Sequence, residues 1–196
     1  MKKIILVFIA SFMMIGFTQA QKIKIVSGDM GFMKDLAELN VTFEYPEDMK
    51  FGKTTQDKYI EKKMADAEEK EEGAGEAWKD SYFADREDHY EPMFMEGMEK
   101  YAGDLFVAQD DSDYEYTMIV KTTFTEPGFF MGFQNKKSAI DLEITFVKTD
   151  ATDEALAVVK ITKAPGAAAP DTGLRVGDAY FTAAQQFGKL LKKKYL

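Results

Sequence analysis

The sequence predicts an α+β protein, a two-layer sandwich in which one largely antiparallel sheet carries helices packed on one face. Three observations lead to this fold class. Apolar and polar residues alternate along several separate stretches, the pattern of half-buried strands. Stretches with apolar residues at helical intervals lie between the first and second of these strands and after the last one. The later strands follow one another through short connections, as in a meander with one wet face. The predicted order is β-α-α-β-β-β-α.

The first strand is predicted in ELNVTFEY, and Pro46 ends it. Its side chains on one face are Leu39, Val41, Phe43 and Tyr45. A helix capped by Thr54 or Thr55 follows and continues into an almost wholly charged stretch at 66–72. A flexible joint is expected at the glycine-rich GAG over 73–75.

A second helical stretch starts near Glu76, and its aromatic residues recur at helical intervals. Proline is costly inside a helix, so Pro92 divides this stretch into two helices at about 76–89 and 91–101, with a kink between them. The following AGDLFVAQDDSD is predicted to be a loop.

Three strands are then expected in YEYTMIVKTTF, SAIDLEITFV and ALAVVKITK. In the second of these, Ile140, Leu142, Ile144 and Phe146 share one face. The last helix should begin near Thr172, and the lysines near its end suit the helix dipole. Its apolar stripe comprises Val176, Ala179, Ala183, Phe187, Leu190 and Leu191.

Residues 1–20 have the layout of a signal peptide that is cleaved on export. Lys2 and Lys3 precede an apolar run, and TQA offers small residues before Gln21. The apolar run is shorter than the roughly 20 residues that span a bilayer. We therefore expect a periplasmic or secreted protein in which residues 21–196 form a single α+β domain. There is no cysteine to carry a lipid anchor.

The composition argues against several classes of function. The net charge of −9 repels phosphate backbones and anionic lipid, so neither a nucleic-acid partner nor adhesion to anionic lipid is expected. The short apolar run and the lack of cysteine argue against a stable membrane anchor. The lack of cysteine excludes disulfides and thiol nucleophiles. The acidity itself is typical of a soluble protein.

Motifs with known chemistry are incomplete, so neither catalytic residues, nor a metal site, nor a cofactor is expected. FGKT resembles the end of a phosphate-binding loop, but Glu47 stands where that loop needs glycine. His89 follows Asp85 by one helical turn, yet a surface histidine in a charged helix face explains it. The acidic QDDSDYEY lacks the glycine of a calcium loop.

A cluster of aromatic residues offers one possible binding face. Trp78, Tyr82 and Tyr90 would form a platform for a small molecule or glycan if their rings were exposed. At helical spacing the same residues are also expected of a buried stripe. Both interpretations stay open at this point.

The turn TEPGFFMGF is unusually apolar for a connection between strands. Phe129, Phe130, Met131 and Phe133 follow Pro127 and its glycine, where no strand is left to fill. These side chains either cover an end of the core or remain exposed. If they are exposed, they would dock a partner protein or dip into a bilayer, because exposed apolar patches mark contact surfaces. The acidity of the chain favours the protein partner over lipid.

The stretch from YTMIVKTTFTEPGFFMGFQNKKSAIDLEITFV to DTGLRVGDAYFTAAQQFGKLLKK resembles a group of secreted or periplasmic proteins of Gram-negative anaerobes. The order of elements is more distantly similar to envelope lipoproteins with a strand–helix–three-strand–helix core, such as activators of penicillin-binding proteins and the amino-terminal domain of TolB. The resemblance implies a non-catalytic envelope accessory protein with an envelope protein as its partner. Arg175 lies where the TG-R pattern of the first group recurs. An arginine in the first turn of a helix opposes the dipole, so a carboxylate partner is expected for it.

Overall fold

The computed structural model describes residues 21–196, and the expected signal peptide at 1–20 lies outside them. The described strands are β1 (Lys22–Gly28), β2 (Glu38–Glu44), β3 (Lys50–Phe51), β4 (Thr54–Thr55), β5 (Phe106–Gln109), β6 (Tyr116–Glu126), β7 (Phe129–Phe130), β8 (Asn135–Lys136), β9 (Ala139–Lys148) and β10 (Ala151–Pro165). The α-helices are α1 (Gln56–Glu68), α2 (Ala74–Asp85), α3 (Glu91–Tyr101) and α4 (Thr172–Lys194). Strands and helices of this kind confirm the α+β class.

The main sheet has the order β1-β10-β9-β6-β2-β5. Its first four strands pair antiparallel, which matches the predicted meander. β2 pairs parallel with both β6 and β5, so the sheet is mixed at this end. The sequence prediction missed β1, and it assigned β5 to a loop.

The predicted apolar faces of β2, β9 and α4 form one core. Leu39, Val41, Ile144 and Phe146 are fully buried there, and α4 covers them with Phe187 and its neighbours. A smaller second core joins β3, α1 and α2 through Met49, Phe51, Ile60 and Tyr82. The alternation of apolar and polar residues therefore predicted the buried side chains correctly in strands that are long enough to show the alternation.

The second helix predicted around Pro92 is confirmed as α3, Glu91–Tyr101, but α2 ends at Asp85 rather than near 89, and the two helices are joined directly. A π-helical turn, Arg86–Tyr90, connects α2 directly to α3, and the N–H of Glu91 bonds to the carbonyl of Arg86. Pro92 is thereby placed in the first turn of α3, where its missing N–H costs little. None of the helices among residues 21–196 is long and apolar enough to cross a membrane.

Candidate functional site

The apolar turn forms a small β-hairpin that projects from the main sheet. β6 ends at Glu126, Pro127 and Gly128 turn the chain, and β7 pairs with β8 before β9 begins. We call residues 126–139 the hairpin. Gly128 has φ +64°, and a Cβ there would stand 2.3 Å from the carbonyl oxygen of Lys136. The sequence therefore needs glycine at this point for the two short strands to pair.

The apolar side chains of the hairpin are open to solvent. Phe133 is 91% exposed and Met131 57%, while Phe129 and Phe130 are 39% and 40% exposed. We call these four side chains the apolar tip. The alternative that they extend the core is wrong, because β7 and β8 form a separate two-stranded sheet that no other element among residues 21–196 covers.

Backbone and amide bonds give the tip a defined shape. The N–H of Met131 donates to the carbonyl of Gln134 at 3.1 Å and to the side-chain oxygen of Asn135 at 3.1 Å. The Asn135 amide in turn donates to the carbonyl of Gly132 at 3.3 Å. Gly132 supplies the left-handed φ of +73° that this tight turn requires. The apolar side chains are thus presented on an ordered turn.

The base of the hairpin is fixed by the start of α4. Arg175 is 4% exposed, and its Nε donates to the carbonyl of Pro127 at 3.1 Å. The hydroxyl of Ser138 donates back to the backbone carbonyl of Arg175. One residue therefore binds both sides of the hairpin, and Gly166 adds a bond to the carbonyl of Ser138 at 3.0 Å.

The prediction of a carboxylate partner for Arg175 is wrong, because backbone carbonyls and a hydroxyl group surround its guanidinium instead. Its guanidinium also donates to the carbonyls of Ala169 and Pro170 and to the hydroxyl of Thr172. Backbone carbonyls carry partial negative charge, and together they replace a carboxylate for a buried guanidinium, whose donors must all be satisfied. Ser138 and Gly166 were missed in the sequence, because their role appears only when β9, β10 and α4 meet.

A salt bridge closes the side of the hairpin. The Glu126 carboxylate accepts from the N–H of Gly128 at 3.2 Å and from the Lys136 ammonium at 2.5 Å. From 127 to 137 the hairpin carries Lys136 and Lys137 but no carboxylate. The surface around the tip is therefore less acidic than the chain as a whole.

The predicted aromatic platform of Trp78, Tyr82 and Tyr90 does not form one face, because Trp78 and Tyr82 pack in the smaller core and Tyr90 packs in the main core. Tyr82 and Tyr90 are each 6% exposed. Tyr82 stacks on the half-buried Trp78, with centroids 5.4 Å apart and planes 19° apart. Tyr90 instead stacks on Tyr180 at 5.1 Å and 7°. Two of the three rings thus have no free face for a ligand.

His89 and Asp85 lie where the π-helical turn meets α4. The distance from His89 Nε2 to Asp85 Oδ1 is 3.8 Å. Burial, and secondarily the Asp171 carboxylate, raises the pKa of Asp85 to about 6. A Cβ on Gly173 would stand 2.2 Å from Asp85 Oδ1, and a Cβ on Gly177 would stand 2.6 Å from Met93 Sδ and 3.3 Å from the Cβ and carbonyl oxygen of His89. The close contact depends on these two glycines, whose spacing of four in GLRVG was the available sequence signal.

Other acidic side chains do not gather into a metal centre in the described part of the chain. Between residues 21 and 196, no three His, Asp or Glu side chains converge as metal ligands would. In the acidic QDDSDYEY, the N–H of Asp111 instead bonds to the Asn40 side chain at 2.8 Å. The N–H of Asp113 bonds to the Asp111 carboxylate at 3.0 Å. These carboxylates and amides shape a turn before β6.

No protein-family model matches the sequence, and no curated protein matches it. Solved structures that are similar to the chain in outline include two dodecamers. One is a PelC dodecamer from Paraburkholderia phytofirmans, 10% identical, with a TM-score of 0.43 over 87% of this chain and 97% of that chain. The other is a dodecamer of a single-substitution PelC variant from the same organism, 10% identical, with a TM-score of 0.44 over 87% of this chain and 98% of that chain.

Proposed function

We propose that the protein is an exported, non-catalytic accessory protein of the cell envelope that binds another envelope protein through its apolar tip. The observation that carries the proposal is the exposure of Phe133, which reaches 91% on a hairpin whose base is fixed to the core. Large apolar side chains at such an ordered position lose solvent contact only when a partner covers them. The signal-peptide pattern of residues 1–20 supports export.

The chemistry of the tip favours a protein as the occupant. Phenylalanine and methionine are enriched in the cores of protein interfaces, and aromatic anchors contribute a large share of binding energy. The net charge of −9 opposes close approach to anionic lipid. The partner surface should therefore be an apolar groove deep enough to receive Phe133.

Site-specific photocrosslinking in the native host tests this proposal. A photoreactive phenylalanine analogue at position 133 should give one discrete crosslinked band from the envelope fraction. The same analogue at Phe106, which is 56% exposed on the edge strand β5, is the matched control and should not give that band.

A second variant decides whether the band reflects binding by the tip. Phe129→Ser, with the analogue kept at position 133, should reduce the band at least tenfold while the protein stays folded. A band of equal strength at positions 106 and 133, or one that is unchanged in Phe129→Ser, would overturn the proposal. Loss of the signal with intact folding would support it.

A further inference from the structure

A groove of about 590 Å³ lies beside the start of β1, between the end of β10 and the carboxyl-terminal half of α4. Ile23, Pro165 and Leu190 give it apolar walls, and Lys189 and Lys193 line it as well. The Lys189 ammonium lies over the Tyr101 ring, 4.7 Å from its centroid, so Lys193 supplies the positive charge at the groove. Among the described residues that line the groove there is no carboxylate, so a positive charge placed there would meet one like charge and no counter-charge.

Gln21 lines the same groove and is the residue directly before β1. Its side-chain nitrogen and oxygen are both buried, and neither has a hydrogen-bond partner among residues 21–196. The next residue, Lys22, already pairs with Thr162 of β10. Gln21 is therefore held at the groove by the sheet.

Cleavage of the expected signal peptide after Ala20 would make Gln21 the first residue of the exported chain. A free α-amino group has a pKa of roughly 8 and is mainly charged at neutral pH. It would then stand at the groove with Lys193. The burial of an unpaired amide and the approach of two like charges both disfavour an unmodified terminus.

We propose that the exported protein carries pyroglutamate at position 21. The α-amino nitrogen of Gln21 attacks its own side-chain carbon Cδ. A bond forms between this nitrogen and Cδ, the bond from Cδ to the amide nitrogen breaks, and ammonia leaves with the proton that the amine gives up. The step consumes no oxidant, reductant or other co-reactant.

The product fits the groove better than the starting residue. The ring carries no charge, so the repulsion from Lys193 disappears. The unpaired amide NH₂ group leaves as ammonia, which removes a buried donor. The remaining ring methylenes can contact Ile23 and Leu190.

The first test is the mass and amino-terminal sequence of the protein that is exported from a Gram-negative host expressing the full chain. We expect a chain starting at position 21 that lacks one ammonia and is blocked to Edman degradation. An unmodified Gln21 would overturn this inference and leave the proposed export intact. An uncleaved chain would contradict both, because the inference rests on the proposed export.

The second test examines the groove. Pyroglutamate aminopeptidase should remove the blocked residue at least tenfold more slowly from the native protein than from the urea-unfolded protein. Equal rates would show that the ring is not held in the groove and would overturn that part of the inference.

A matched set of variants tests the role of charge. Exported Gln21→Ala, with its start confirmed by mass, should have a lower melting temperature than the blocked protein. Lys193→Gln should recover part of this loss, whereas Lys194→Gln, an exposed lysine that does not line the groove, should not. Equal effects of the two lysine variants would overturn the electrostatic argument.

Discussion

The guanidinium of Arg175 and the backbone carbonyl of Pro127 are joined by a hydrogen bond of 3.1 Å. This bond connects the first turn of α4 to the base of the hairpin. The carbonyl of Arg175 accepts a second bond from the hydroxyl of Ser138, on the opposite side of the hairpin. The position of the apolar tip relative to the core is therefore set by one buried side chain and its own backbone.

Arg175→Lys should destabilise the protein and loosen the hairpin. Lysine keeps the charge but cannot reach the carbonyls of Pro127 and Pro170 together with the Thr172 hydroxyl. Hydrogen bonds to charged groups contribute about 1.5–3 kcal/mol each and are not additive, so we expect a loss of about 2–4 kcal/mol in the free energy of unfolding. Urea unfolding measures the loss, and hydrogen exchange should quicken at 126–139.

Arg86→Lys is the matched control for this substitution. Arg86 stacks on the ring of Tyr45, with 4.4 Å from its guanidinium carbon to the ring centroid. Its replacement should leave hydrogen exchange at 126–139 unchanged. Equal exchange at the hairpin in the two variants would contradict the assigned role of Arg175.

Phe133→Ser should leave the stability of the protein nearly unchanged. Its side chain is almost fully exposed, so the free energy of unfolding should change by less than about 0.5 kcal/mol. Phe146→Ala, which removes a fully buried ring, should cost about 3–5 kcal/mol. Thermal denaturation of both variants checks the contrast, and a large loss in Phe133→Ser would mean that the tip packs against the core.

Two glycines of the hairpin should differ sharply in their tolerance of alanine. Gly132→Ala meets no atom within 4 Å and carries only the strain of φ +73°, about 1–2 kcal/mol. Gly128→Ala has the same strain and in addition a Cβ 2.3 Å from the carbonyl oxygen of Lys136. Gly128→Ala should therefore cost at least about 1 kcal/mol more, as overpacking does.

The measurement is urea unfolding of both glycine variants, together with hydrogen exchange of Lys136. Protection of Lys136 should fall in Gly128→Ala because β7 and β8 can no longer pair at their present spacing. Similar losses of stability in both variants would show that backbone strain alone decides the effect.

Asp85 should make the stability of the protein depend on pH. Its pKa is about 6 when folded, against a value of about 4 in an unfolded chain. Between these values the folded state binds more protons at Asp85, so the contribution of Asp85 to the free energy of unfolding is greatest below about pH 4 and falls as the pH rises to about 6. Asp85→Asn should remove this fall and raise stability at pH 7.5 by about 1–2 kcal/mol, less than a full two-unit shift because part of the side chain is solvated.

Urea unfolding between pH 4 and 8 measures this dependence. Asp80→Asn, an exposed position on α2, is the control and should keep the profile of the unsubstituted protein. If Asp85→Asn keeps that profile as well, burial does not hold the Asp85 proton.

The long regular elements were predictable because their burial repeats in the sequence. β9 shows Ile140, Leu142, Ile144 and Phe146 on one face, and all four are buried. α4 begins at the predicted Thr172, where the Asp171 side chain accepts from the N–H of Leu174 at 2.7 Å. The buried face of β9 and the start of α4 are both determined by residues that are close together in the sequence.

The remaining features depend on distant parts of the chain. β5 has four residues, too few to show a period, and it is a strand because β2 lies beside it. The second helix at 91–101 was predicted correctly from Pro92, but the direct connection to α2 was not, because a π-helical turn at Arg86–Tyr90 joins the two helices. The exposure of the apolar tip could not be decided from TEPGFFMGF alone, since the same letters would suit a buried turn. The partners of Arg175 come from three separate connections.

Because the base of the hairpin is fixed, the residues that hold the fold are different from the residues that form the apolar tip. Phe129, Phe130, Met131 and Phe133 lie outside the buried core, while Gly128, Ser138 and Arg175 hold the base of the hairpin. The four apolar side chains can therefore change with little effect on folding. Under the proposed binding role, exchanging residues 129–134 between related chains should transfer binding preference and leave the rest of the molecule unchanged.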